Sequence, residues 1–163
     1  MAQPIHVGMA DLVVSKHPAT LVTLGLGSCI GLVIFDQVSK TAGMVHIMLP
    51  DSRDAKNIPK PGKFADTAVP LLLEELAKLG ASKAQLRAKM AGGAQMFSMP
   101  GKSDSAIFGV GSRNVEATTK MLAAAGIRLV ASDTGGSKGR SVEFSTETLK
   151  FIVKTLGTGT KDL

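Results

Sequence analysis

Apolar residues in the first third of the chain are grouped in short runs of strand length. Residues 9–16 and 20–25 form two such runs, and residues 29–35 and 42–49 form two more. The last two runs are rich in β-branched residues and flank a polar segment, 36–41, which is the pattern of a β-hairpin. The beginning of the chain is therefore predicted to be a series of short strands.

Two later segments carry apolar residues at the spacing of an amphipathic helix. Residues 64–79 predict the first helix, with Gly80 as its C-cap, and residues 113–125 predict the second. Pro70 interrupts the first segment, so it either kinks the helix or marks the point where its regular part begins. Further strands are predicted at residues 86–93, 127–133, 141–146 and 148–154.

The order of these elements indicates an α/β sandwich that is rich in strands and has two main helices. About eight strands are predicted, and the lack of βαβ alternation at the start argues against a doubly wound sheet. Residues 50–63, with three prolines and several charges, predict an exposed and mobile loop. The length of 163 residues, without a repeat or linker, predicts a single domain over residues 1–163.

The chain carries a formal net charge of +6, and its basic residues are dispersed rather than clustered. Such a surface is either simply solvated or steers the protein toward an acidic protein or nucleic acid. Binding of single-stranded nucleic acid relies on aromatic side chains on which the bases stack. The chain has no Trp, no Tyr and only six Phe, so we predict no nucleic acid partner.

Cysteine content and hydropathy indicate the compartment. A single cysteine allows no internal disulfide, as is usual in cytoplasmic proteins. The N-terminal segment lacks the basic region and the uninterrupted apolar region of a signal peptide. No apolar run reaches the length required to span a bilayer. We therefore expect a cytoplasmic protein without direct membrane insertion.

The most unusual local sequence places the single cysteine, Cys29, directly after Gly27 and Ser28. Glycine lets the backbone turn sharply and leaves room for a substrate. Backbone N–H groups of such a turn, around Gly27 and Ser28, can stabilise an oxyanion. A thiolate is a strong nucleophile when a base or cation lies nearby, so Cys29 is a candidate nucleophile. The alternative is that Cys29 is a small buried apolar residue.

Among the three histidines, strand geometry favours His46 as the base. The hairpin register that we predict pairs Phe35 with Ala42. This register places Gly31 opposite His46, with Cys29 two residues along on the same face. A slip of one residue would move His46 to the other face, and a histidine in an apolar strand can also be a hydrogen-bonded core residue. A thiolate–imidazolium pair would alkylate faster than a free thiol at neutral pH.

The glycines around Cys29 do not form a dinucleotide site. Gly25, Gly27 and Gly31 give G-x-G-x-x-x-G rather than G-x-G-x-x-G, and a strand follows where that site requires a helix. One cysteine and three separated histidines do not match a zinc site. We therefore predict neither a cofactor nor a metal. The glycine-rich segment 135–140 could form an anion-binding nest, a loop that shapes a site or partner surface, or a flexible turn.

Several segments resemble one known family. Residues 7–36, which contain T-x-G-x-G-S-C, and residues 43–50, which contain G-M-x-H-x-M-L-P, closely resemble the chemoreceptor glutamine deamidase family, CheD. The similarity continues through residues 91–97, 111–114 and 133–146. It covers nearly the whole chain in the expected order, and the two motifs are far more specific than a lone cysteine.

The resemblance implies a function and a site. Members of this family are cytoplasmic amidohydrolases that convert glutamine side chains of methyl-accepting chemotaxis receptors to glutamate and release ammonia through a cysteine thioester. Their nucleophile, base and third catalytic residue fall on Cys29, His46 and Thr23. Their fold is an α/β sandwich related to glutamine-deamidating toxins. Members also bind the phosphatase CheC, so a non-catalytic docking regulator of receptors or of CheC is the alternative function.

Overall fold

The computed structural model describes residues 3–95 and 109–163, in which ten strands form two five-stranded sheets. Met96 and Phe97, at the end of one segment of the family resemblance, lie outside the described residues. In chain order the strands are β1 (Ile5–His6), β2 (Leu12–Ser15), β3 (Thr20–Leu26), β4 (Ile30–Asp36), β5 (Ala42–Ile47), β6 (Leu86–Gly92), β7 (Arg128–Thr134), β8 (Arg140–Ser145), β9 (Phe151–Thr155) and β10 (Gly159–Asp162).

The two sheets pack face to face, and the helices cover the outer face of one of them. One sheet has the order β1-β3-β8-β9-β10 and the other the order β2-β5-β4-β6-β7. The helices α1 (Ala65–Lys78) and α2 (Val110–Ala124) pack against the second sheet. Short 3₁₀ turns lie at Pro61–Lys63 and Lys83–Gln85. The predicted α/β sandwich with two main helices is confirmed.

Strand β4 shows why the middle of this sequence is so uniformly apolar. Its even-numbered residues Ile30 and Leu32 pack toward the helices, whereas Val33 and Phe35 pack toward the other sheet. A strand that is covered on both faces has no solvent-facing side, so its sequence is apolar throughout instead of alternating. The sheet that carries β4 and β5 is thus the middle layer of three.

The predicted hairpin register is confirmed. Phe35 pairs with Ala42, and Gly31 pairs with His46. The polar segment 36–41 forms the turn, where the Asp36 carboxylate accepts hydrogen bonds from the backbone N–H groups of Val38 and Ser39 at 2.8 and 3.0 Å.

Other boundaries differ from the predictions. The edge strands β1 and β10 were not predicted, because two residues and an exposed polar segment carry no apolar pattern. Helix α2 begins at Val110 rather than at residue 113. Pro70 lies inside α1, which starts at Ala65 and not near the proline. The proline is exposed, and it has no N–H to donate to the Asp66 carbonyl one turn earlier. Within the described residues, no helix is long and apolar enough to cross a membrane.

Candidate active site

Cys29 lies in a bend between β3 and β4, one residue before β4 begins, and is half-buried. Its side chain packs against the apolar cluster between the two sheets. The backbone around it is held by the end of β6: Gly93 N–H donates to the Cys29 carbonyl at 2.9 Å, and Ala94 N–H donates to the Gly27 carbonyl at 2.9 Å. The bend that presents the thiol is therefore fixed on both sides of Cys29.

The close approach of β6 to this bend requires a glycine. Gly92 has φ +112°, and a Cβ added there would lie 2.1 Å from the Cys29 carbonyl oxygen. The Gly92 carbonyl in turn accepts from Gly135 N–H at 3.0 Å and from the Arg140 guanidinium at 3.1 Å. The glycine-rich segment 135–140, for which the sequence leaves three interpretations, is thus packed against the strand end that holds Cys29.

His46 lies on β5 and points into the space between the two sheets, where it is 1% exposed. Its Nδ1 is 2.8 Å from Thr23 Oγ1 on the facing sheet. Gly31, opposite His46, leaves the room for this contact, because a Cβ on Gly31 would lie 3.1 Å from Thr23 Cγ2. The contact joins the two sheets through polar groups in an otherwise apolar layer.

The hydrogen bonds of Thr23 determine which nitrogen of His46 carries the proton. The Thr23 hydroxyl donates to the Val7 carbonyl at 2.6 Å, and that carbonyl can only accept. The hydroxyl has a single proton, so toward His46 it must act as acceptor, and Nδ1 must be the donor. In the neutral imidazole Nε2 then carries a free lone pair. Nε2 is buried and has no hydrogen-bond partner among the described residues.

Burial sets the charge state of both reactive groups. Burial lowers the pKa of His46 below its usual value, and the Asp11 carboxylate opposes this only in part. Burial also raises the pKa of the Cys29 thiol. Both shifts favour a neutral thiol and a neutral imidazole over an ion pair. These directions run against the expected thiolate–imidazolium pair and its fast alkylation at neutral pH, which stays a prediction.

The structure brings together most of the residues singled out in the sequence. Thr23 and His46 are in direct contact, and Cys29 lies on the same side of its sheet as His46. The thiol and the imidazole do not form a hydrogen bond, and catalytic contacts often tighten only with substrate bound. Gly27 and Ser28 occupy the bend. Among the described residues, no group of three His, Cys, Asp or Glu could hold a metal.

Sequence reasoning did not assign a role to one residue that supports the bend. Asn114 of α2 donates to the Ser28 carbonyl at 2.9 Å. Asn114 is completely buried. An asparagine on the buried face of a helix is a usable signal, because that residue type is unfavourable in a helix interior unless its amide has partners.

The fold and the site define a class of protein: an α/β sandwich whose inter-sheet layer holds a thiol, an imidazole and a hydroxyl. A family model described as CheD chemotactic sensory transduction matches residues 48–155. A protein of Caldanaerobacter subterraneus subsp. tengcongensis is 50% identical over 96% of this chain and 96% of its own length. The chain therefore belongs to the CheD family.

Two further relatives agree with this assignment. A Clostridium novyi protein is 48% identical over 95% of this chain and 94% of its own length, and a Clostridium botulinum protein is 46% identical over 98% and 97%. All three relatives are called probable chemoreceptor glutamine deamidase CheD. The family model begins after Cys29 and His46, whereas the matches to these relatives extend over nearly the whole chain.

Proposed function

We propose that this protein is a cytoplasmic amidohydrolase that converts glutamine side chains of methyl-accepting chemotaxis receptors to glutamate, with release of ammonia. Membership of the CheD family and the names of the three relatives support the reaction and the substrate. One observation carries the assignment of the site: the hydrogen-bond chain from His46 through Thr23 to the Val7 carbonyl, which leaves Nε2 unprotonated. Such a nitrogen is suited to remove the proton of the neighbouring thiol.

The first half of the reaction forms a thioester. Nε2 of His46 takes the proton of Cys29, and the thiolate sulfur attacks the side-chain amide carbon of the receptor glutamine. The carbonyl electrons move onto oxygen, and the oxyanion accepts a hydrogen bond from backbone N–H groups of the bend, that of Cys29 included. The imidazolium gives its proton to the amide nitrogen, the carbon–nitrogen bond breaks, and ammonia leaves.

The second half releases glutamate. Neutral Nε2 removes a proton from water while the water oxygen attacks the thioester carbon. A second oxyanion forms at the same donors and collapses with cleavage of the carbon–sulfur bond. The imidazolium returns the proton to sulfur, so the free thiol is restored. Throughout, Thr23 holds Nδ1 as a donor and keeps the ring oriented, which is the role of the third residue in hydrolytic triads.

A docking role can accompany catalysis. Met9 and Leu24 are large apolar side chains that are 58% and 57% exposed. Leu24 directly follows Thr23, and Met9 directly precedes Ala10, whose N–H donates to the His46 carbonyl at 3.0 Å. These exposed side chains are suited to contact a receptor helix, or CheC, at the protein surface. A docking regulator without turnover is the second candidate function.

Mass spectrometry of receptor cytoplasmic fragments tests the proposed reaction. Incubation with the wild-type protein should replace a side-chain amide by a carboxyl group at specific glutamines, which raises the mass of the corresponding peptides. Incubation with Cys29→Ala protein is the control and should leave the peptides unchanged. Tight receptor binding without any mass change would instead support the docking regulator.

Substitution of Thr23 separates an orienting role from a packing role. Thr23→Val keeps the shape and the strand propensity but cannot accept from Nδ1, so turnover should fall on the order of 10–100-fold, as for other partners that orient a histidine. Thr23→Ser keeps the hydroxyl and should retain most of the activity. Deamidation rate and receptor affinity are measured for both variants. Equal deamidation rates for Thr23→Val and the wild type would show that Thr23 does not take part in catalysis.

A further inference from the structure

Asn114 links the two segments that carry the reactive groups. Its side-chain nitrogen donates to the Ser28 carbonyl at 2.9 Å and to the Met48 carbonyl at 3.0 Å. Ser28 directly precedes Cys29, and Met48 follows His46 by two residues. Both neighbours of the amide are carbonyl oxygens, which only accept, so the NH₂ group must be the one that faces them. The Asn114 side chain thus joins the bend that carries Cys29 to the end of β5, the strand that carries His46.

Helix α2 is held firmly against this end of the sheet. A Cβ on Gly111 would lie 2.4 Å from the Ala94 carbonyl, and a Cβ on Gly93 would lie 2.4 Å from Val115. The backbones therefore approach more closely than any other residue type permits at these two glycines. This contact sets the distance between α2 and the bend around Cys29, and it thereby positions the Asn114 amide.

The bond to Ser28 determines where the Cys29 N–H points. The peptide between Ser28 and Cys29 is trans, so its C=O and N–H groups point in opposite directions. The carbonyl points at Asn114, and the N–H therefore points away from α2. Helix α2 covers the face of the sheet opposite to His46, so that direction is the side of the imidazole. Among the described residues, no backbone carbonyl accepts a hydrogen bond from the Cys29 N–H.

We propose that Asn114 is a positioning residue that holds the Ser28–Cys29 peptide in the orientation in which the Cys29 N–H can donate to the oxyanion. The inference rests on the acyl-transfer chemistry of the proposed function, though not on the receptor as substrate. Asn114 Oδ1 is buried and has no partner among the described residues. A buried unpaired oxygen is unfavourable, so the amide is present for the two bonds that its nitrogen makes.

Two reactions of Cys29 separate this role from a merely structural one. Acylation by p-nitrophenyl acetate passes through a tetrahedral oxyanion, whereas alkylation by iodoacetamide displaces iodide and forms none. In Asn114→Ala, acylation should fall about 10–100-fold, since misplacing one oxyanion donor has effects of this order. Alkylation at the same pH should remain close to wild type, because the thiol and its surroundings are unchanged. Nitrophenolate release and the mass of the labelled protein report the two rates.

A matched variant controls for loosening of the helix. Leu122→Ala removes a side chain that is 1% exposed on the same helix, about two turns beyond Asn114. This variant should have a lower melting temperature, but at temperatures where it is folded its rates of Cys29 acylation and alkylation should match those of the wild type. Asn114→Asp keeps the volume but removes the donors and should resemble Asn114→Ala. Equal loss of acylation and alkylation in the Asn114 variants, or loss of neither, would overturn the proposal.

A measurement on the wild-type protein decides the matter if neither Asn114 variant folds. The Cys29 amide should exchange its hydrogen much faster than the ladder amides of β4, because a free N–H is unprotected. Protection equal to that of β4 would mean that the N–H is already bonded, and the proposal would be wrong. If the wild-type protein is acylated at Cys29 but deamidates no receptor, the proposal that receptors are the substrate is wrong, whereas the role proposed for Asn114 is unaffected.

Discussion

Cys29→Ser is expected to abolish deamidation while the protein remains folded and binds receptors. A serine hydroxyl nearly matches the thiol in size, but its far higher pKa makes it a poor nucleophile for a histidine that burial makes a weak base. Loss of a nucleophile in hydrolytic triads lowers turnover by about 10⁶-fold. Mass spectrometry of receptor fragments measures the loss, and thermal unfolding confirms that the variant is folded.

The single thiol provides a second, chemical form of the same test. Iodoacetamide can label only Cys29, because the chain contains no other cysteine. The labelled protein should lose activity in proportion to the fraction labelled, and Cys29→Ala should show no label. Residual deamidation by a folded Cys29→Ser or fully labelled protein would contradict the mechanism.

His46→Gln should reduce turnover nearly as strongly, and the pH dependence of the wild type should show why. Catalysis needs neutral His46, so activity is lost as the pH falls through its pKa. Burial lowers that pKa, so the acid limb of kcat/KM should lie below the usual histidine value of about 6.5. The pH profile of deamidation at limiting receptor concentration measures this limb.

Asp11→Asn is the matched control for this pH profile. The Asp11 carboxylate raises the pKa of His46, so its removal should move the acid limb to still lower pH with little change in the plateau. The shift should be small, because Asp11 is exposed and forms an ion pair with Lys60 at 2.9 Å. An acid limb at or above the usual histidine value, or one that moves up in Asp11→Asn, would contradict the assignment of His46.

The thiol has its own pH signature. Burial raises the pKa of Cys29, so the rate of alkylation should continue to rise above the usual thiol pKa instead of levelling off near neutrality. A rapid, pH-independent alkylation at neutral pH would instead support the thiolate–imidazolium pair predicted from the placement of Cys29 and His46.

Local pattern was sufficient to predict the hairpin that carries the base. The polar turn at 36–41 located the hairpin, and pairing Phe35 with Ala42 across it places His46 opposite Gly31. Both strands are apolar on both faces, so their pattern permitted this register without excluding a slip of one residue. The glycines before Cys29 likewise indicated a sharp bend, since the need for such a bend is local. The motif resemblance supplied the role of Thr23, which its position in a strand did not.

Interactions between distant segments were decided only by the tertiary structure. Thr23 meets His46 across two sheets, and Asn114 reaches the bend from a helix that follows β6, so no spacing along the chain encodes these distances. The charge state of Cys29 and His46 was also beyond the sequence, because it depends on how much water the surrounding layers exclude. The sequence by itself determined the strands, the bend and the reactive side chains available. Packing of the three layers decided which of these side chains meet and which of their atoms are protonated.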